Sequence, residues 1–235
     1  MKVLVACEFS GTVRDAFIAK GHNAVSCDLL PTESPGPHIQ GDVIPEICVH
    51  DYDMMIAFPP CTYLCSSGLH WNTRRPERAK ETEQALNFVR FLMWCKIPKI
   101  AVENPIGCIS TRIRKPDQVI QPWMFGHPES KQTCLWLKNL PLLQPTNIIK
   151  SPPAWVKCDC CDDYICTIHG KHVFECDCKE IEWWAAKGIS PYMTGGRWAN
   201  QTPSGQNKLG PSPTRWKERS KTYAGIAAAM AEQWG

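Results

Sequence analysis

The sequence predicts an open α/β fold built on a parallel sheet, and three features predict it. Short apolar runs stop abruptly at turn formers, a glycine turn joins the first run to an amphipathic helix, and a long helical stripe separates two later runs.

Lys2-Val3-Leu4-Val5-Ala6-Cys7 is the first strand. Phe9-Ser10-Gly11 leaves it, and Val13, Ala16, Phe17 and Ala19 give the next segment a helical apolar face. Gly11 would let the backbone approach a ligand closely, and the free amides of the helix start suit a carboxylate; otherwise the glycine simply turns strand into helix. Val13 stands where a dinucleotide turn needs a further glycine, which argues against a dinucleotide. Asn23-Ala24-Val25-Ser26-Cys27 is the second strand. Asp28 at its end can accept two ribose hydroxyls, or serve as a cap. From Leu29 a proline-rich loop leads into a short third element ending at Gln40-Gly41-Asp42.

Asp53-Met54-Met55-Ile56-Ala57 is a buried strand that ends at Phe58-Pro59-Pro60-Cys61. Open α/β sheets bind ligands at the carboxyl ends of their strands, so Cys61 would stand at the mouth of a cleft. The two prolines fix its direction, and a thiolate is a strong nucleophile. Taken alone, Cys61 reads more readily as one small buried residue among fourteen cysteines, since free Cys is among the most buried residue types. The polar loop that follows ends in Arg74-Arg75, which suit phosphate or plain solvated surface. A helix begins near Pro76, and its apolar positions 85, 86, 88, 89, 92 and 93 pack on the sheet. Lys99-Ile100-Ala101-Val102 is the next strand and ends in Glu103-Asn104-Pro105. A carboxyl group desolvated there holds its proton near neutral pH and can donate it to a ring nitrogen.

Taken together, these motifs resemble the DNA cytosine-C5 methyltransferase family. The resemblance covers residues 1–135, with an echo in the last twenty. It implies a Rossmann-like class I fold that binds S-adenosylmethionine (SAM) and methylates C5 of cytosine in DNA through a covalent Cys61 adduct. Phe58-Pro59-Pro60-Cys61 matches the catalytic-cysteine loop and Glu103-Asn104-Pro105 the Glu-Asn-Val/Pro motif. For the cofactor, the resemblance implies contacts from Phe9, Ser10, Gly11, Asp28, Leu29, Asp42 and Pro59, with Asp28 on the ribose and Asp42 on the adenine. The family's Gln-x-Arg-x-Arg segment has no counterpart at its usual place, because Arg112-x-Arg114 comes too early. Lys131, just before an expected strand over residues 133–137, is the candidate cation beside the base. The end of the chain, a small-residue helix after Arg219, is similar to the family's last motif but lacks its Asn.

The formal net charge of +3 and a charged fraction of 21% exclude a polycation, so contact with DNA must come from local clusters. No leader and no membrane-length apolar run is evident, and a soluble cytoplasmic protein is expected. Six of the fourteen cysteines crowd into residues 158–178, together with His169 and His172. Such crowding favours structural zinc over disulfides, and Cys166, His169, Cys176 and Cys178 form the neatest tetrahedral set. The expected organisation is a catalytic domain over residues 1–150, a Cys/His-rich zinc insert over 151–193, and a polar linker with a returning helix over 194–235.

Two alternatives stay open on the sequence. The short chain suits the same chemistry on a free pyrimidine nucleotide, such as deoxycytidine monophosphate. An inactive relative would use its insert and basic linker as a DNA-binding module. Short chains of this kind resemble those carried by bacteriophages, where self-methylation in the host cytoplasm evades restriction.

Overall fold

The structure is a computed structural model that describes residues 1–149, 155–157, 164–166, 198–202 and 207–235. Its centre is a seven-stranded sheet with helices on both faces. In chain order the strands are β1 (Lys2–Ala6), β2 (Asn23–Asp28), β3 (His38–Gln40), β4 (Met54–Ala57), β5 (Lys99–Pro105), β6 (Gln118–Ile120) and β7 (Thr133–Lys138). They lie side by side as β3-β2-β1-β4-β5-β7-β6.

The first five strands are parallel, with Val3 opposite both Ala24 and Met54 in register. Strand β7 runs antiparallel to β5 and β6. In that register Thr133 lies opposite Pro105, so the start of β7 reaches the carboxyl end of β5. The chain moves outward from β1 in one direction to β2 and β3, then crosses back to β4 on the other side. Ligand crevices in open sheets form at such a reversal, beyond the carboxyl ends of the strands.

Alternation along each strand feeds two cores, as expected of a sheet covered on both faces. Leu4, Met55 and Val102 pack beneath α2 (Val43–Val49) and α4 (Pro76–Trp94), the long helix that follows the one-turn α3 (Ser66–Leu69), and Leu86, Val89 and Leu92 of α4 are buried there. Val3, Val5, Met54 and Ile56 face α1 (Thr12–Ala19) and the terminal helix Ala224–Trp234. Helix α4 starts at Pro76, whose fixed φ suits a first helical position. Asp42 caps α2 by accepting the Ile44 N–H at 2.9 Å.

A short helix, Arg215–Ser220, precedes the terminal helix and lies over the turn after β1, where Trp216 packs on Phe9 with ring centroids 6.2 Å apart. A separate two-stranded sheet joins β8 (Trp155–Lys157) and β9 (Tyr164–Cys166). Among the described residues, no helix is long and apolar enough to cross a membrane.

Candidate active site

The turn after β1 begins with Cys7 and turns again at Gly11, at φ 59 and 77° respectively. Only glycine enters the left-handed region without cost, so Gly11 is required for the entry into α1. The space beside it is not open, because a Cβ added there would meet the Arg14 guanidinium at 2.5 Å. Arg14 is fully buried and donates to the Ser34 carbonyl at 3.0 Å and the Ser26 hydroxyl at 3.2 Å, which pins the loop after β2 against α1.

The amides expected to be free at the start of α1 are occupied. Glu8, 4% exposed, accepts the Val13 N–H at 2.7 Å and the Arg14 N–H at 3.2 Å. The expectation that Gly11 and this helix start cradle a carboxylate is therefore corrected, since the chain supplies its own carboxylate there. Burial raises the pKa of Glu8, and the two amides oppose that rise.

Three acids ring the ends of neighbouring strands: Glu8 after β1, Asp28 ending β2 and Asp42 after β3. The charges of Asp28 and Asp42 both bear on the Cys7 thiol, and with burial they push its pKa up. Asp28 accepts the Leu30 N–H at 2.9 Å, which leaves most of its acceptor capacity unused. Leu29 is 73% exposed. An adenosyl sulfonium ligand carries ribose hydroxyls, an exocyclic amine, an ammonium and a positive sulfur, and a crescent of carboxylates complements all of these. The donor set fits SAM, although Phe9 is now covered by Trp216 and Lys217.

Across the crevice, Cys61 is held from three directions. The buried Pro59 carbonyl accepts the Asn104 side-chain N–H from β5 at 2.7 Å. The Leu64 and Cys65 N–H groups return to the Cys61 carbonyl at 3.0 and 2.9 Å, forming one tight turn. From α4, Arg78 donates to the Thr62 carbonyl at 2.7 Å and its guanidinium lies over the Tyr63 ring.

Glu103 and Lys131 stand beside this loop, and both charges act on the Cys61 thiol. Desolvation holds the Glu103 carboxyl above the usual carboxylate range, against the Lys131 charge and a hydrogen bond from Thr133. Glu103, Lys131 and Thr133 line a hollow with Phe58 and Tyr223, and its volume is about 20 Å³, near the room one water needs. Lys131 spends its ammonium on the Arg219 carbonyl at 2.8 Å, over the Tyr223 ring. The segment before the terminal helix therefore closes the hollow.

The structure thus brings Cys61, Glu103 and Lys131 to one place, and sets Phe9, Asp28 and Asp42 along the neighbouring strand ends. Ser10 donates to Glu8 rather than facing outward. Cys65, Thr133 and Tyr223 join the site without having been read from sequence. Only Cys65 left a signal, its spacing of four from Cys61. Of the proposed zinc ligands, His169, Cys176 and Cys178 lie outside the described residues, and Cys166 is described only as the last residue of β9. Among the described residues, no three His, Cys, Asp or Glu side chains stand together for a metal ion.

No protein-family model and no curated protein matches the chain. A solved E. coli protein, provisionally described as a DNA modification methyltransferase encoded within a prophage, is similar at 13% identity and a TM-score of 0.40. The match covers 67% of this chain and 58% of that one, so this chain spans under two thirds of its length.

Proposed function

We propose that the chain is a SAM-dependent methyltransferase acting on C5 of cytosine in DNA. The observation that carries this reading is a desolvated carboxyl group and an ammonium lining one hollow, both within electrostatic reach of the Cys61 thiol, beside a crescent of acids. The sheet order, with antiparallel β7 between β5 and β6, agrees with the class I methyltransferase fold that the sequence resemblance implies.

SAM supplies an electrophilic methyl group. Cytosine C5 is too poor in electrons to take it unaided, so the protein must first activate the ring. Cys61 adds to C6 while Glu103, whose proton burial holds more tightly, gives it to N3; the electron-rich C5 takes the methyl group and then loses its own proton to solvent, and the C5–C6 double bond that re-forms expels Cys61 as Glu103 recovers the N3 proton. Lys131 exchanges the Arg219 carbonyl for a carbonyl oxygen of the base and fixes its orientation. A base within duplex DNA must leave the stack to reach this depth, and the segment carrying Tyr223 must give way to admit it. Exposed Arg74 and Arg75, whose guanidiniums lie 5.4 and 5.2 Å from the Trp71 ring, present positive charge on the loop that starts at Cys61.

The test uses labelled SAM with DNA or with deoxycytidine monophosphate. Label is expected in DNA and not in the free nucleotide. Cys61→Ala is expected to abolish transfer while SAM still binds, and Cys61→Ser to do nearly the same, since a hydroxyl lacks the thiolate population. Turnover retained by Cys61→Ala would refute the reading.

A further inference from the structure

The strap of chain that precedes the terminal helix lies across both halves of the site. On the cofactor side, Trp216 packs on Phe9 with ring centroids 6.2 Å apart, and the Lys217 ammonium lies 5.9 Å from the Phe9 ring centre and 5.7 Å from that of Trp216. Lys221 pairs at 2.9 Å with Glu33, whose own N–H donates to the Phe9 carbonyl at 2.9 Å. On the base side, the Arg219 carbonyl takes the Lys131 ammonium, and Ser220, Thr222 and Tyr223 line the hollow with Glu103. Trp216 and Arg219 stand three positions apart in the short helix Arg215–Ser220, so the contact on Phe9 and the contact on Lys131 move together.

What the strap lays on Phe9 has the chemistry of the donor. Trp216 brings a flat bicyclic ring about the size of a purine, and the next residue brings a positive charge, near strand ends that carry Glu8, Asp28 and Asp42. SAM carries the same two groups, a purine and a sulfonium. Among the described residues Lys217 makes no ion pair, so a ligand cation can take its place without stranding a carboxylate.

The strap is held loosely. Its helix buries none of its residues, Trp216 stays 53% exposed, and so short a helix has little stability of its own. The Lys221–Glu33 pair is partly exposed and contributes little. The Arg215 Nε is buried without a hydrogen-bond partner, a donor that water cannot reach in this arrangement. By contrast, the helix that follows buries Ile226, Ala227 and Met230, which gives the strap a fixed end to turn on.

We propose that the strap Arg215–Tyr223 is an internal competitor of SAM: Trp216 and Lys217 hold the place on Phe9 that the adenosyl sulfonium takes, and SAM, by displacing them, draws Arg219 off Lys131 and opens the hollow to the base. This inference rests on the use of SAM proposed above. A ligand that binds only when the strap is lifted has its affinity lowered by the fraction of chains in which it is lifted. Removing the Trp216 ring raises that fraction and tightens SAM binding.

Calorimetric titration of the full-length chain with SAM reads the competition without turnover. Trp216→Ala is expected to bind SAM about 10-fold more tightly than the native chain, and Trp216→Phe, which keeps a ring on Phe9, to stay near native. Because the strap helix buries none of its residues, neither variant threatens the fold. In parallel, SAM is expected to speed trypsin cutting of the native chain after Arg215, Lys217, Arg219 and Lys221. Equal or weaker SAM binding by Trp216→Ala would overturn the inference, making Trp216 a bystander or a wall of the donor's own pocket, and so would cutting that SAM leaves unchanged or slows. Failure of the native chain and Trp216→Ala alike to bind SAM would instead overturn the methyl-transfer reading, and the competition with it.

Discussion

At Glu103, one desolvated carboxyl group gains reactivity at a cost in stability. Its pKa lies above that of an unfolded glutamate, about 4.3, so the folded chain binds the proton more tightly than the unfolded one. The stability this contributes is fully present below the unfolded pKa and is lost as pH rises through the folded one. Glu103→Gln is neutral at every pH. It should match the native chain in urea unfolding at about pH 4 and exceed it at about pH 8, while methyl transfer falls by about 100-fold or more. A variant less stable than native at the higher pH would mean that the carboxylate is held by Lys131 as an ion pair, and the proton-donor role would fail. Cys61 and Glu103 were legible in the sequence because each follows an apolar run and is flanked by proline, a local pattern. Glu8 was not, because its partners are amides five and six positions on, and free amides at a helix start were inferred without asking which side chain folds back. Buried Arg14 escaped for the same reason: the Ser34 and Pro35 carbonyls that satisfy it belong to a loop twenty residues away.

Between residue and fold, the Cys61 loop behaves as one element pinned to β5 and α4. Asn104 is buried, and its amide supplies the hydrogen bond to the Pro59 carbonyl, so Asn104→Ala strands a buried acceptor. The expected cost is about 1–3 kcal/mol. For a chain of this size that corresponds to about 2–4 °C of melting temperature per kcal/mol, measurable by calorimetry. Because the same bond sets the direction of Cys61, kcat should drop with little change in KM for SAM. A melting temperature lowered with kcat intact would leave Asn104 a purely structural residue. Strands β1, β2, β4 and β5 and helix α4 were legible from apolar runs and helical spacing, and β7 was anticipated over 133–137 against an observed Thr133–Lys138. The antiparallel direction of β7 was not, since period-two alternation is the same in either direction. Helix α2 was also missed. Its first turn contains Pro45 and its cap is Asp42, and a capping aspartate looks in sequence like one reserved for a ligand.

On the scale of the whole molecule, the chain ends close the fold on each other. The terminal helix packs Ile226, Ala227, Met230 and Trp234 into the core with Val13 and Phe17 of α1, and Lys20 pairs with Glu232 at the rim. The helix and its resemblance to a returning segment were legible in the small-residue run after Arg219, but which face of the sheet it covers depends on long-range packing that no local pattern encodes. That helix also anchors the segment over the site, where Lys131 bonds to the Arg219 carbonyl, Tyr223 donates to Glu129 at 2.5 Å, and the Gly225 N–H reaches His127 at 2.9 Å. Trp234 is 2% exposed and its indole N–H donates to the Pro141 carbonyl at 3.0 Å, so Trp234→Ala opens a cavity and orphans an acceptor. The expected loss is about 3–5 kcal/mol by denaturant unfolding, a large share of the roughly 5–15 kcal/mol that holds a domain together. Gln233→Ala, one position earlier and half-buried, removes only the exchange with Gln144 and should cost about 0.5 kcal/mol or less. If the helix governs the site as well as the core, Trp234→Ala should release the covering segment, exposing Phe9 and freeing Lys131 while the sheet is still folded. Limited proteolysis would then cut residues 207–223 faster in Trp234→Ala than in Gln233→Ala, in denaturant too dilute to unfold either. Equal cutting in the two variants would show that the covering segment is held by its own contacts, with the terminal helix serving the core alone.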